Sequence, residues 1–265
     1  MAGSIHIFAR GGAAPGLVAG AAGQLALLGA ALALAVMPLG RTGQGLALAL
    51  YAVAGGLVLL GLPYHAPHRR FGIANAVTAT RGAAAALLLG VWAETLQGLV
   101  LAPQRRWALV AVAVAALASD GIDGWLARRR GLASDFGARF DMETDAVLVL
   151  ALCLLVWASG QAGGFVLLSG ALRYLFVAAG WAVPGLRATL PPSRRRKTIC
   201  VVQTALLVAA LLPLVPPSAG QALCALGLVL LIYSFAVDCA GMLLAGRSSH
   251  IIRRQEQTSV EPPFD

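Results

Sequence analysis

The sequence predicts an all-α bundle of transmembrane helices, and three observations predict it. Hydrophobic residues make up 59% of the chain and charged ones 12%, with a mean hydropathy of +0.80. A soluble domain carries about 25% charged and about 45–50% apolar residues, so a chain this apolar has too little polar surface to face water. Apolar runs of the roughly 20 residues that cross a bilayer recur along the whole length, and Lys and Arg collect in alternate gaps between them.

The runs number eight. The first, 13–37, follows Arg10 but exceeds the 7–15 apolar residues of a secretory signal core, so it reads as a retained helix. The second, 44–62, is short and stops at the segment from Pro63 to Arg70. The third, 73–96, ends before Pro103 to Arg106. The fourth and fifth, 107–128 and 138–159, carry charge and flank a basic gap at Arg129 to Ser134. The sixth, 164–184, contains Arg173, and the seventh, 198–216, follows the basic loop from Arg187 to Lys197. The eighth, 220–245, contains Asp238, and the polar tail from Ser248 with two prolines reads as disordered. Abundant Gly and Ala suit close helix packing in lipid.

A net charge of +9 would suggest nucleic-acid binding in a soluble protein. Between apolar runs it is better explained by topology and anionic lipid, and no nucleic-acid partner is expected. Fifteen of the 20 Lys and Arg residues fall on one side of the eight-span arrangement and three on the other, with Arg81 and Arg173 inside spans. Both termini are therefore expected in the cytoplasm, and the chain in an inner (cytoplasmic) membrane of bacterial type. Cys153, Cys200, Cys224 and Cys239 have no CxxC spacing and read as small buried hydrophobes. His65 and His68 form an HxxH in a Pro-containing loop and carry little weight as metal ligands. Glu94, near the far surface, reads as solvated.

Four acids stand out because an ionisable group in mid-span costs at least ~2.5–3.5 kcal/mol. Asp120 and Asp123 lie three apart near the end of the fourth span, and Asp141 and Asp145 four apart near the start of the fifth. Each spacing puts a pair on one helix face. The short connection predicts antiparallel neighbours, so four carboxylates converge at the cytoplasmic mouth. Such a cluster repels itself unless cations neutralise it. Oxygen donors without nearby His or Cys point to Mg²⁺ or Mn²⁺, two ions forming a clamp for phosphate chemistry. The opposing reading has the acids capping helix ends and pairing with Arg128, Arg129, Arg130 and Arg139; four acids at these spacings favour the metal.

The run from Asp120 through Asp123, Gly124, Ala127, Arg128, Gly137 and Asp141 to Asp145 resembles the signature of the CDP-alcohol phosphatidyltransferase family, DxxDGxxAR-x8-GxxxDxxxD, with every fixed position and gap matched. Asn75, Thr78 and Arg81 resemble the NxxTxxR start of that family's first core helix. Arg196, Lys197 and Thr198 resemble the basic start of its fifth, although Gln203 comes later than the Gln of that pattern. The likeness covers about residues 70–245.

The resemblance implies a division into residues 1–68, two N-terminal helices without an assigned role, a transferase core over 69–246, and a disordered tail over 247–265. It implies that Asp120, Asp123 and Asp141 ligate metal and that Asp145 is both ligand and general base. It places the CDP-lipid at Asn75, Ala76, Val77, Thr78, Gly124, Arg128 and Ser134, although Asn75 and Thr78 also read as a helix cap and Ser134 as a loop hydroxyl. The implied partners are CDP-diacylglycerol, a small alcohol and membrane lipid, with a homodimer left open.

For the acceptor, Arg173, Arg196 and Lys197 could hold a phosphorylated polyol such as glycerol 3-phosphate or an inositol phosphate. The same loop also reads as a positive-inside signal alone. Serine as the acceptor also stays open, and two other readings remain: a CDP-choline or CDP-ethanolamine phosphotransferase acting on diacylglycerol, and a cation transporter. The transporter would need ionisable groups distributed through the membrane depth. Asp238 could pair with Arg173 or reach the pocket.

Overall fold

The computed structural model describes residues 15–65, 71–130, 135–182 and 193–258; within them the side chains at 65, 120–130, 135, 173, 176, 177, 179–182 and 242–258 lie outside the description. Eight α-helices run through the described residues, and no strand occurs among them. They are α1 (Pro15–Ala35), α2 (Arg41–Gly61), α3 (Gly72–Thr95), α4 (Pro103–Arg130), α5 (Asp135–Ala158), α6 (Val166–Ala182), α7 (Arg194–Ala210) and α8 (Pro217–Thr258). A 3₁₀ turn, Leu62–His65, ends α2. Pro stands first in α1, α4 and α8, where its missing N–H is no loss and its fixed φ suits a helix. Gly160, at φ +71°, ends α5 in the left-handed turn that favours glycine.

Four helices have the length and apolar composition to cross a membrane: α1, α2 with its turn, α3, and Pro217–Gly241 of α8. Leu27, Leu34, Leu57 and Leu60 are between 65% and 75% exposed on α1 and α2, as suits a lipid-facing surface. The expectation of eight apolar spans therefore holds in coarser form: eight helices, four of which carry, among the described residues, a stretch long and apolar enough to cross. The charged residues of α4 and α5 lower their apolar content, and α6 and α7 have 17 described residues each.

Three boundaries differ from the sequence reading for physical reasons. α7 starts at Arg194, not 198, because Ser193 caps it by accepting a hydrogen bond from the Arg196 N–H. It stops at Ala210, not 216, because Pro213 disfavours helix in the residue before it and would clash one turn back. α8 continues to Thr258, so the stretch from 247 to 258 is helical where disorder was expected. Extending an existing helix through Arg, Gln and Glu costs little.

The helix at the centre is α3, which buries eleven residues against four for α1 and packs on α1, α2, α4 and α5. On its other side α5 meets α6 and α7, and both α6 and α7 meet α8. Small residues set the closest approaches. A Cβ on Gly43 of α2 would lie 2.6 Å from the Gly90 carbonyl of α3, and one on Gly170 of α6 would lie 3.0 Å from Leu150 Cα.

Polar groups tie the end of the bundle remote from the acidic motif. Glu94 is half-buried, not solvated: its Oε1 accepts from the Gly43 N–H at 2.5 Å. It thus places a negative charge at the positive first turn of α2. Arg106 donates to the carbonyls of Ala210, Leu211 and Leu212 at 3.4, 3.0 and 2.9 Å, closing the C-terminus of α7.

At the motif end, α2 supports α5. A Cβ on Gly61 would fall 2.5 Å from Phe136 Cε2, and the Phe136 and Phe140 rings stack with centroids 6.2 Å apart. Both rings join an apolar cluster that includes Leu25, Tyr51, Val58 and Leu62. The first turns of α5, which lead to Asp141, are therefore seated on the two N-terminal helices.

Candidate active site

Asp141 and Asp145 are one turn apart on α5 and face α3. From α3, Arg81 donates through Nη2 to Asp141 Oδ1, and the same nitrogen lies 3.4 Å from Asp145 Oδ1. The guanidinium is 1% exposed, whereas the two carboxylates are 38% and 45% exposed. A buried cation is retained only when paired, and the carboxylates that open outward supply that pairing through Nη2 of the arginine beneath them. Sequence reasoning placed Arg81 inside a span and in the NxxTxxR run, without giving it a partner or a role. The signal for its role was its place at the end of NxxTxxR, two turns into the helix that packs on α5.

Asp120 and Asp123 lie three apart on α4, on one face by helix geometry. Their side chains, with those of Gly124, Arg128 and Arg173 and the whole of Ser134, lie outside the described residues. α4 and α5 both pack on α3, which is their common support. The donors that are described, two partly exposed carboxylates one turn apart, are oxygen ligands of the kind that suits a divalent ion of the hard class. No group of three or more Asp, Glu, His or Cys forms a metal-binding set among the described residues, so a complete set needs the α4 acids.

These groups line a cavity of about 500 Å³. Arg81, Asp141 and Asp145 form one part of its wall, and Ser193, Arg196 and Lys197 at the start of α7 form another. The structure thus brings the motif acids of α5 and two of the three proposed acceptor residues into one space.

Asn75, Ala76, Val77 and Thr78 are not among that cavity's described lining; they lie one to two turns before Arg81 on α3. Asn75 is 6% exposed and donates to the Phe71 carbonyl at 2.6 Å, and Thr78 is 3% exposed and donates to the Ala74 carbonyl at 3.2 Å. The capping alternative is therefore excluded. The N-cap of α3 is Phe71, without a side-chain cap, and both residues sit inside the helix bonding one turn back.

Asp238 meets two arginines that the sequence reading did not consider as its partners, and Arg173, which it did, has a side chain outside the described residues. The Asp238 carboxylate, 10% exposed, accepts from Arg195 Nη2 at 2.6 Å and Arg196 Nη1 at 3.2 Å, and Arg195 also lies 6.0 Å from the Tyr233 ring centre. The basic start of α7 is thus partly neutralised from α8, which leaves Lys197 beside it on the cavity wall.

A membrane helix bundle with a carboxylate pair and a basic wall around one cavity suits chemistry on phosphate groups. The family model of the CDP-alcohol phosphatidyltransferases matches residues 71–233. The chain belongs to that family, and with it to the membrane-embedded transferases of phospholipid head groups. The match begins at Phe71 and leaves α1 and α2 outside it. No solved structure matches the chain.

Proposed function

We propose that the protein transfers a phosphatidyl group from CDP-diacylglycerol to a hydroxyl of a small phosphorylated polyol, such as glycerol 3-phosphate or an inositol phosphate, with release of CMP. The observation that carries this reading is the shared cavity, in which the half-exposed Asp145 and the basic pair Arg196 and Lys197 face one space. Asp120, Asp123, Asp141 and Asp145 would hold two Mg²⁺ or Mn²⁺ ions. When bound, such ions stabilise charge that builds on a pyrophosphate as its bridging bond breaks.

The chain's own residues have distinct tasks. Asp145 accepts the proton of the acceptor hydroxyl, whose oxygen forms the new bond to the lipid-linked phosphorus as the bond to CMP breaks. Arg81 holds Asp141 and Asp145 in place from below. Lys197 and Arg196 attract the acceptor's phosphate, and Arg173 is a further candidate for that task. Asn75, Ala76, Val77, Thr78, Gly124, Arg128 and Ser134 receive the cytidine and its phosphates. The 15-to-3 division of Lys and Arg supports a cytoplasmic site with both termini on the same side, in a bacterial inner membrane. Residues 69–246 would form the transferase core.

The far end of the bundle speaks against the transporter alternative. Glu94 and Arg106, ionisable groups at that end, are engaged with the ends of α2 and α7.

The test offers purified protein CDP-diacylglycerol, Mg²⁺ or Mn²⁺ and a panel of alcohols, and measures CMP. Release is expected with a phosphorylated polyol and to fall by about 10²–10⁴-fold in Asp145→Asn. CMP release that needs CDP-choline and diacylglycerol instead would support the phosphotransferase alternative. No release with any pair, or full activity in Asp145→Asn, would reject the reading.

A further inference from the structure

Neutral polar groups buried without a partner gather around the cavity. Ser169 on α6, Gln203 on α7 and Ser234 on α8 are 4%, 2% and 1% exposed. The two serine hydroxyls and both amide atoms of Gln203 have no hydrogen-bond partner among the described residues. Of the other neutral side chains described, only Gln24 and Trp92 bury such an atom. Ser169, Gln203 and Ser234 all line the space that contains Asp145 and Lys197.

Their neighbours show that this is not the general habit of the fold. A hydroxyl inside a helix ordinarily bonds a carbonyl one turn back. Thr78, Thr80, Thr144 and Thr204 do so, and Ser119 and Ser159 bond three residues back. Ser169 and Ser234 do not, and the Gln203 amide next to Thr204 has no helix carbonyl either. Gly227 of α8 leaves room for that amide, since a Cβ there would overlap Gln203 Oε1. Unmade bonds of this kind cost folding free energy, so three of them around one cavity call for a partner from the cavity itself.

We infer that Ser169, Gln203 and Ser234 are the residues that recognise the non-reacting hydroxyls of the acceptor, which is therefore an alcohol with several hydroxyl groups. An amide and two serines both give and take hydrogen bonds, and so does a hydroxyl. An ammonium only gives, and a carboxylate only takes. The assignment rests on the transfer reaction proposed above and divides the acceptor among three parts of the wall. Asp145 meets the reacting hydroxyl, Lys197 and Arg196 the phosphate, and the neutral trio the rest. A site built to bond a hydroxyl strongly rejects an analogue that lacks it.

The experiment measures CMP release by the full chain in detergent or nanodiscs with CDP-diacylglycerol and Mg²⁺. The acceptors are myo-inositol 1-phosphate, its single-deoxy analogues, glycerol 3-phosphate and phosphoethanolamine. Gln203→Leu is expected to raise the KM of the preferred polyol about tenfold or more while the KM of CDP-diacylglycerol changes less than about twofold. The handicap of one deoxy analogue should shrink in that variant. Ser169→Ala and Ser234→Ala, which remove one oxygen each, should shift acceptor KM in the same direction, so misfolding of Gln203→Leu would not decide the matter. Unchanged acceptor KM in all three variants, or equal use of phosphoethanolamine, would overturn the assignment and leave the transfer reaction standing. An absence of CMP with every acceptor would reject both.

Discussion

Arg81 on α3 and Asp141 on α5, 60 residues apart, form a pair whose cation is buried and whose anion opens on the cavity. Helix packing and site charge are therefore one interaction. The contact that holds α3 to α5 at this level also orients the carboxylates proposed to act on substrate.

Removing the guanidinium should damage both functions. Breaking a buried pair costs about 3–5 kcal/mol. Here the carboxylates stay more than a third exposed, so Arg81→Met is expected to lose about 1–2 kcal/mol in thermal unfolding. CMP release should fall more than about tenfold. Arg81→Lys should recover only part of it, since one ammonium cannot reproduce a planar fork. Full activity in Arg81→Met would remove the residue from the site.

Metal removal should abolish the reaction reversibly. Treatment with a chelator is expected to stop CMP release, and Mg²⁺ or Mn²⁺ to restore it. Asp141→Asn should raise the metal concentration for half-maximal activity by about tenfold or more, because it removes a charged oxygen from the donor set. A titration curve that coincides with the wild type would exclude Asp141 as a ligand.

The α2–α3 contact can be tested with two glycines on one helix. A Cβ on Gly43 meets the Gly90 carbonyl at 2.6 Å and Glu94 Cγ at 2.7 Å, whereas one on Gly45 meets nothing within 4 Å. Gly43→Ala should destabilise by about 1–3 kcal/mol through overpacking. Gly45→Ala should be neutral or gain up to about 1 kcal/mol from helix propensity. Equal melting temperatures for the two variants would contradict the packing described.

Two neighbouring cations should behave differently towards substrate. Lys197 lines the cavity, while Arg195 is turned to Asp238 and Tyr233. Lys197→Gln is expected to raise the KM of a phosphorylated acceptor about tenfold, in line with the loss of one charge-assisted hydrogen bond. Arg195→Gln should leave that KM within about twofold and act on thermal stability instead. Similar kinetic effects of the two substitutions would mean that the start of α7 works only as a diffuse positive field.

Much of the site was legible because its parts are local. Asp141 and Asp145 share a helix face by their spacing alone, and the motif that contains them spans only residues 120–145. Arg81 was written in the same sequence, yet hydropathy treats every ionisable residue in a span alike and cannot say which acid it meets. Asp238 shows the same limit: two partners were considered, Arg173 and the pocket, and the structure supplied Arg195 and Arg196. Glu94 read as solvated because an isolated acid near a span end has no partner in its own helix. Its partner is the first turn of another.

By itself the sequence determined that this chain is helical, lies in lipid and carries the family's acidic signature. Those properties follow from composition, run length and fixed spacing, each a matter of nearby residues. Only the tertiary structure decided that Arg81 lies beneath the motif acids, that Asp238 of α8 pairs with Arg195 and Arg196 of a basic loop, and that Ser169, Gln203 and Ser234 line the same cavity. Such pairings join positions tens of residues apart on different helices. They depend on where Gly43, Gly90 and Gly170 let backbones approach, and no periodicity along one helix encodes which helix will be its neighbour.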